Sequence, residues 1–135
     1  MTPQPVTLSA TFTIALSPDA EIPGSAGRFT MEKTWGGDLR GVSRGTMLTA
    51  GDPATGSAGY VATERFDGTL DGRSGTLAFQ QLGLMAAGEP TLQYVIAPGS
   101  GSGELQGVTG TLEIGAIDDD GVHQVTMTLN LPDPS

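Results

Sequence analysis

The 135-residue chain has no cysteine, one histidine, one tryptophan and only six basic residues. Each shortage excludes something. Without cysteine there is no disulfide, no thiol nucleophile and no thiolate-held metal, and a single histidine cannot build a multi-histidine zinc site within one chain. Six Lys and Arg against 15 Asp and Glu leave a net charge of −9, which opposes a phosphate backbone or an anionic membrane and excludes nucleic acid as a partner. No apolar run approaches the ~20 residues of a membrane-spanning helix. The start, Met1-Thr2-Pro3-Gln4-Pro5, has neither the basic nor the apolar region of a secretion signal, so a cytoplasmic protein of bacterial type is expected. Aromatic residues make up 5% of the chain, which leaves a core to be built mainly from aliphatic side chains and methionine. Glycine and proline are plentiful instead, at 21 and nine residues, a turn-rich composition. The length points to one domain over residues 1–135, with enough chain for a core that needs no crosslink.

Period-two alternation dominates the pattern. Val6, Leu8, Ala10, Phe12, Ile14 and Leu16 alternate with Thr7, Ser9, Thr11 and Thr13, so an extended strand carries one apolar and one hydroxylated face. A second run sets Phe29, Met31, Lys33 and Trp35 against Arg28, Thr30, Glu32 and Thr34. Further extended stretches are expected at Gly41–Ala50, Ala58–Leu70, Gly72–Leu82, Thr91–Ala97, Gly103–Ala116 and Val122–Leu131. Breaker-rich segments separate them, and no helix of convincing length is expected. A weak repeat overlies this order. Gly68-Thr-Leu-Asp-Gly72-Arg-Ser-Gly75-Thr-Leu77 matches Gly103-Glu-Leu-Gln-Gly107-Val-Thr-Gly110-Thr-Leu112, and Gly37-Asp-Leu-Arg-Gly41 begins a looser third copy. A strand end, a tight turn at positive φ and a new strand account for it.

About eight strands joined as hairpins close naturally into an antiparallel barrel, which removes the two exposed edges of an open sheet. The fold expected is a single eight-stranded, lipocalin-like barrel. With few bulky side chains to fill it, a central cavity is expected too. The stretch Tyr60-Val-Ala-Thr-Glu64-Arg-Phe-Asp-Gly68 with its following turn, the run Ala97-Pro-Gly-Ser-Gly-Ser-Gly103-Glu104-Leu105-Gln-Gly107, and a lone His123 near the end together resemble a bacterial family of small proteins filed as domain of unknown function 3224. The resemblance runs from about Thr34 to Leu131. It implies a relationship to the allene oxide cyclase and dirigent barrels, whose members include cyclases and proteins that orient radical coupling. Where that family usually carries a histidine after the Gly72–Gly75 turn, this chain has Gln80-Gln81, so chemistry relying on that imidazole does not carry over.

Strand parity nominates the chemistry-bearing residues. Glu64 shares a phase with Tyr60, Ala62 and Phe66. A carboxyl facing an apolar cavity has its ionised form disfavoured and becomes a usable general acid; a twist toward solvent, or a pair with Arg65 or Arg73, is the structural alternative. His123 is in phase with Val125, Met127 and Leu129, which reads as a core histidine bonded to a carbonyl or as the one available base. Tyr94 is a third candidate, as a hydroxyl able to polarise a carbonyl. Trp35, Met47, Tyr60, Phe66, Phe79, Gln81 and Met127 are expected to line the cavity, with Lys33 either reaching past the rim or binding a substrate carboxylate.

No metal or organic cofactor is expected. Asp118-Asp119-Asp120-Gly121 lacks the spacing of a calcium loop and reads as a hairpin turn, and the glycine-serine run at 99–103 lacks the lysine and helix of a phosphate loop and reads as a flexible turn. Two functions remain. One is a cofactor-free cyclase or isomerase acting on a small apolar, natural-product-like molecule by confinement. The alternative is a non-catalytic binding protein for the same kind of ligand. A filled barrel with a purely structural role is the weakest reading. A small apolar molecule is the partner expected, with neither nucleic acid nor membrane, and a homodimer is compatible with the sequence. Ser17–Gly27 and Gly83–Pro90 are the segments expected to gate the cavity.

Overall fold

Alternating sequences dictate strands, and each of them pairs with its neighbour in the chain. The computed structural model describes residues 4–20 and 27–132. It contains β1 (Val6–Asp19), β2 (Gly27–Gly37), β3 (Leu39–Asp52), β4 (Ser57–Leu70), β5 (Arg73–Ala86), β6 (Glu89–Ile96), β7 (Thr109–Ile117) and β8 (His123–Asn130). All pair antiparallel in sequence order, and β8 returns to β1 to close the barrel. Short 3-10 turns at Pro53–Thr55 and Gly103–Leu105 are the helical elements among the described residues. None of these is long and apolar enough to cross a membrane.

The pleat sorts side chains as parity requires. On β4, Ala62, Glu64 and Phe66 are buried while Val61, Thr63 and Arg65 are exposed; on β8, Val125, Met127 and Leu129 are buried between exposed neighbours. Inward apolar side chains form one contiguous core that includes Phe12, Trp35, Phe66, Phe79, Tyr94 and Met127.

The two ends of the barrel differ. At one end the repeated glycine-x-leucine units each drive a leucine into the bore: Leu39, Leu70 and Leu105 are buried in the same cluster as Leu77, Val108 and Leu129. In the β4–β5 hairpin the repeat is a two-residue turn with both central residues, Asp71 and Gly72, at positive φ, as a type I′ turn needs. In the later copy the same letters fold into the 3-10 turn Gly103–Leu105. This corrects the expected strand Gly103–Ala116, because β7 begins only at Thr109.

The run at 97–105 is no flexible turn either. Ala97 and Ser102 donate backbone hydrogen bonds to Ala78 and Thr76 on β5. The hydroxyls of Ser100 and Ser102 accept from the Ala78 and Thr76 amides, and Glu104 accepts from Ser74. The segment is a strap stitched to β5, ending in the Leu105 plug. A Cβ on Gly75 would lie 2.0 Å from the Ser102 carbonyl, so glycine is what lets the strap approach.

The other end stands more open. Its gating segments are not loops where the structure describes them. β1 runs on to Asp19, pairing Pro18 with Phe29; residues 21–26 of the expected loop lie outside the described residues. Gly83–Pro90 is a tight hairpin, with β5 continuing to Ala86 and a turn at Ala87-Gly88. The wall is least complete between β6 and β7, which pair only at Val95–Thr111 and Ile96–Gly110. Leu70→Ala is expected to cost about 2–5 kcal/mol by opening a cavity in the plugged end, measured by urea unfolding; a loss below about 0.5 kcal/mol would show that the plug contributes little.

Candidate functional site

Inward parity on three alternate strands brings a lysine, a glutamate and a tyrosine to one point in the bore. Lys33 of β2 places its Nζ 3.1 Å from Glu64 Oε1 of β4 and donates to the Tyr94 hydroxyl of β6 at 3.0 Å. The Tyr94 hydroxyl in turn donates to Glu64 Oε1. The second carboxylate oxygen accepts from Ser43 Oγ of β3 at 3.3 Å, and Ser43 accepts from Trp35 Nε1 at 2.9 Å. The ammonium also lies 4.5 Å from the centre of the Phe12 ring and 4.8 Å from that of Tyr94, within the ~6 Å at which an aromatic face attracts a cation. Lys33, Glu64, Tyr94 and Ser43 are 2%, 3%, 2% and 0% exposed. Water cannot screen these charges, so the pair survives only because each polar atom has a partner.

Burial and the neighbouring charges set the titration behaviour. Burial pulls the Lys33 ammonium below its ordinary range, and Glu64 partly offsets this. Burial and then the Glu64 charge push the Tyr94 phenol well above 10.0. The Tyr60 phenol is raised for the same two reasons, so both phenols stay protonated across the neutral range. Tyr60 donates to Gln81 Oε1 at 2.9 Å, and it feels the buried site through the Glu64 charge that helps raise its phenol.

Tyr60 itself faces open space. At the open end a cavity of about 600 Å³ is walled by Phe29, Met47, Thr49, Tyr60, Met85 and Leu92, together with backbone of Gly51, Gly59 and Gly83 and the ring of Pro90. Among the described residues that line it, none is charged. The Tyr60 ring lies flat against the β5 backbone, because a Cβ on Gly83 would fall 2.2 Å from the ring.

The expected site residues divide accordingly. Glu64 and Tyr94 come together as direct partners. Glu64 neither stands alone in an apolar hollow nor pairs with Arg65 or Arg73; its partner is Lys33. Lys33 does not reach past the rim, and its charge is already matched. His123 is apart from them: its ring stacks on Phe12 at 4.4 Å and 6°. Its Nδ1 is shielded from water and has no hydrogen-bond partner among the described residues, so the carbonyl bond expected of a core histidine is not made there. Burial and the Lys33 charge lower its pKa from 6.5. Met47 and Tyr60 line the cavity, and Gln81 anchors Tyr60 from behind. Trp35, Phe66, Phe79 and Met127 do not line it; they pack the middle of the barrel. The open volume is thus a cup at one end rather than a central bore.

Sequence reasoning missed Ser43, Phe29, Thr49 and, as lining, Met85 and Leu92. The phase shared by Ser43 and Met47 on β3 would have placed Ser43 inside. Asp118 Oδ1 accepts from the Asp120 and Val122 amides, a local turn, and no cluster of metal-binding side chains occurs among the described residues.

These features define a class: a closed eight-stranded antiparallel barrel, plugged at one end, cupped at the other and braced by an internal ion pair. The chain belongs to the DUF3224 family, whose model, described as protein of unknown function, matches residues 8–129. It is similar to a crystal structure of a protein with unknown function from that family from Shewanella oneidensis MR-1. The two share 33% identity with a TM-score of 0.87, over 96% of this chain and 98% of that one. Nothing among the curated proteins matches the chain.

Two predictions follow from the geometry. Glu64→Gln strands a buried ammonium and is expected to cost about 3–5 kcal/mol, whereas adding Lys33→Met to it should recover most of that loss. Unfolding of the two single variants and the double variant checks this, and simple additivity would show that the charges do not interact. His123 takes up its proton less readily folded than unfolded. Its contribution to stability is therefore complete above 6.5 and is lost as pH falls through its lowered folded value. His123→Phe should flatten that part of the pH–stability curve, and an NMR titration of the imidazole should show the depressed midpoint directly.

Proposed function

We propose that the protein binds a small apolar molecule in the cup at the open end of the barrel. The observation that carries this reading is the cavity itself: about 600 Å³, walled largely by apolar side chains and, among the described residues, without a charged one. That size lies within the roughly 300–1,000 Å³ of small-molecule pockets, and an apolar wall with a few hydroxyls is their common make-up. Binding is preferred over turnover because the acid and base groups beneath the cup are engaged with one another. Glu64, Lys33 and Tyr94 are spoken for and buried, and His123 stands apart from them.

A second reading, a cofactor-free cyclase or isomerase, is favoured by one feature. The cup-wall Tyr60 shares its strand face with Glu64, whose charge helps hold the phenol protonated, so a hydroxyl able to polarise a reacting group stands where confinement would hold a flexible substrate. The resemblance to allene oxide cyclase and dirigent barrels supports that reading by analogy of fold, and one barrel hosts many functions.

Titration with N-phenylnaphthylamine, an uncharged apolar fluorophore, should give a saturable rise in emission. Met85→Trp, which fills the cup, should weaken that binding by roughly tenfold, or about 1.4 kcal/mol, without unfolding the barrel. Absence of saturable binding in the unaltered protein removes the proposal. Native mass spectrometry of the freshly purified protein offers a complementary readout. A retained molecule recovered unchanged after incubation supports binding, and a chemically altered one supports the cyclase reading.

A further inference from the structure

Resting on the cup as a ligand site, we infer that its ligand is an uncharged molecule whose apolar body fills the cup and whose hydroxyl donates a hydrogen bond to the Tyr60 oxygen. Charge sets the first limit on what the cup can hold. A carboxylate entering the cup would find no cation in its wall. The interior cation, Lys33, already faces Glu64 at 3.1 Å and is 2% exposed. An anion placed above that pair would be desolvated without a partner, which proteins avoid at a cost of many-fold in affinity. A ligand ammonium meets the mirror problem, because the Glu64 carboxylate is closed in by Lys33, Tyr94 and Ser43.

The polarity of the hydrogen bonds then narrows the head group. Tyr60 spends its proton on Gln81 Oε1 at 2.9 Å, so its oxygen offers the cup a lone pair. Burial and the Glu64 charge hold the phenol protonated, which keeps that donor-to-Gln81 arrangement through the neutral and mildly alkaline range. Thr49 likewise turns its hydroxyl proton to the Gly27 carbonyl, at 3.4 Å. Of the hydroxyl residues in the lining, Tyr60 and Thr49 both present acceptors to the cup, while Thr91 is exposed to solvent, which can satisfy it. A ligand alcohol supplies the matching donor; a carboxylate, ester or ketone does not.

Calorimetric titration of the full chain at pH 8 with decanol and with decanoate separates the possibilities. The inference expects decanol to bind at least roughly tenfold more tightly than decanoate, and Tyr60→Phe to reduce the decanol preference severalfold while leaving the fold intact by circular dichroism. Decanoate binding as tightly as decanol, or a preference untouched in Tyr60→Phe, overturns this inference while leaving the cup as an apolar site. Failure of both compounds and of N-phenylnaphthylamine to bind overturns the cup reading itself, and this inference with it.

Discussion

The buried ion pair between Lys33 and Glu64 is the constraint that the rest of the barrel answers to. Two opposite charges sit 3.1 Å apart in a space closed to water, where an unmatched charge is far costlier than at the surface. Lys33 comes from β2, Ser43 from β3, Glu64 from β4 and Tyr94 from β6. A one-residue slip in any of these strands would turn its polar group outward and leave another without a partner. The pair therefore selects one register for half of the barrel, a role better attested for buried polar groups than net stabilisation. The aromatic residues are spent here too: Phe12, Trp35, Phe79 and Tyr94 pack against one another around the pair.

That brace divides the bore into two halves with different fates. Below it, leucines from three glycine-rich turns, one of them ending the strap at 97–105, pack into the bore. Above it, the long hairpins of β2 to β6 carry their inward side chains past the packed centre, and the volume they enclose stays open. The strand that carries Glu64 into the brace also carries Tyr60 into the cup wall, where Gln81 of the neighbouring strand accepts from it. In this fold a functional site of the proposed kind is the remainder of the barrel once its polar brace and its plug are in place.

Strand content, strand number, antiparallel order and closure were all legible in the alternation, because the pleat imposes a period of two on any sheet with one buried face. Parity also identified Glu64, Tyr94, Lys33 and Tyr60 as inward. It failed where a segment's partner lies far along the chain. The serines and glycines of 97–105 carry the letters of a mobile turn, yet they are held because β5 presents free amides beside them. The hairpin at 83–90 has breakers throughout, yet β5 and β6 pair almost to its tip, and Pro90 is accommodated close to its end. The composition argument about filling was half right for a similar reason. Aromatic count measures total volume, whereas Phe12, Trp35, Phe66, Phe79 and Tyr94 gather in the packed core while Phe29 and Tyr60 stand in the wall of the open cup.

By itself the sequence determined that the chain is a turn-rich, acidic array of strands without cysteine, with a handful of polar residues facing inward. These follow from composition and from periodicity, which are local and survive without coordinates. Only the tertiary structure decided that the inward lysine, glutamate and tyrosine neutralise one another, that His123 stands apart from them on Phe12, and that the open space lies at one end beside Tyr60. Pairing and enclosure depend on distances between residues about 30 to 60 positions apart, set by barrel closure and register, and no local pattern encodes those distances.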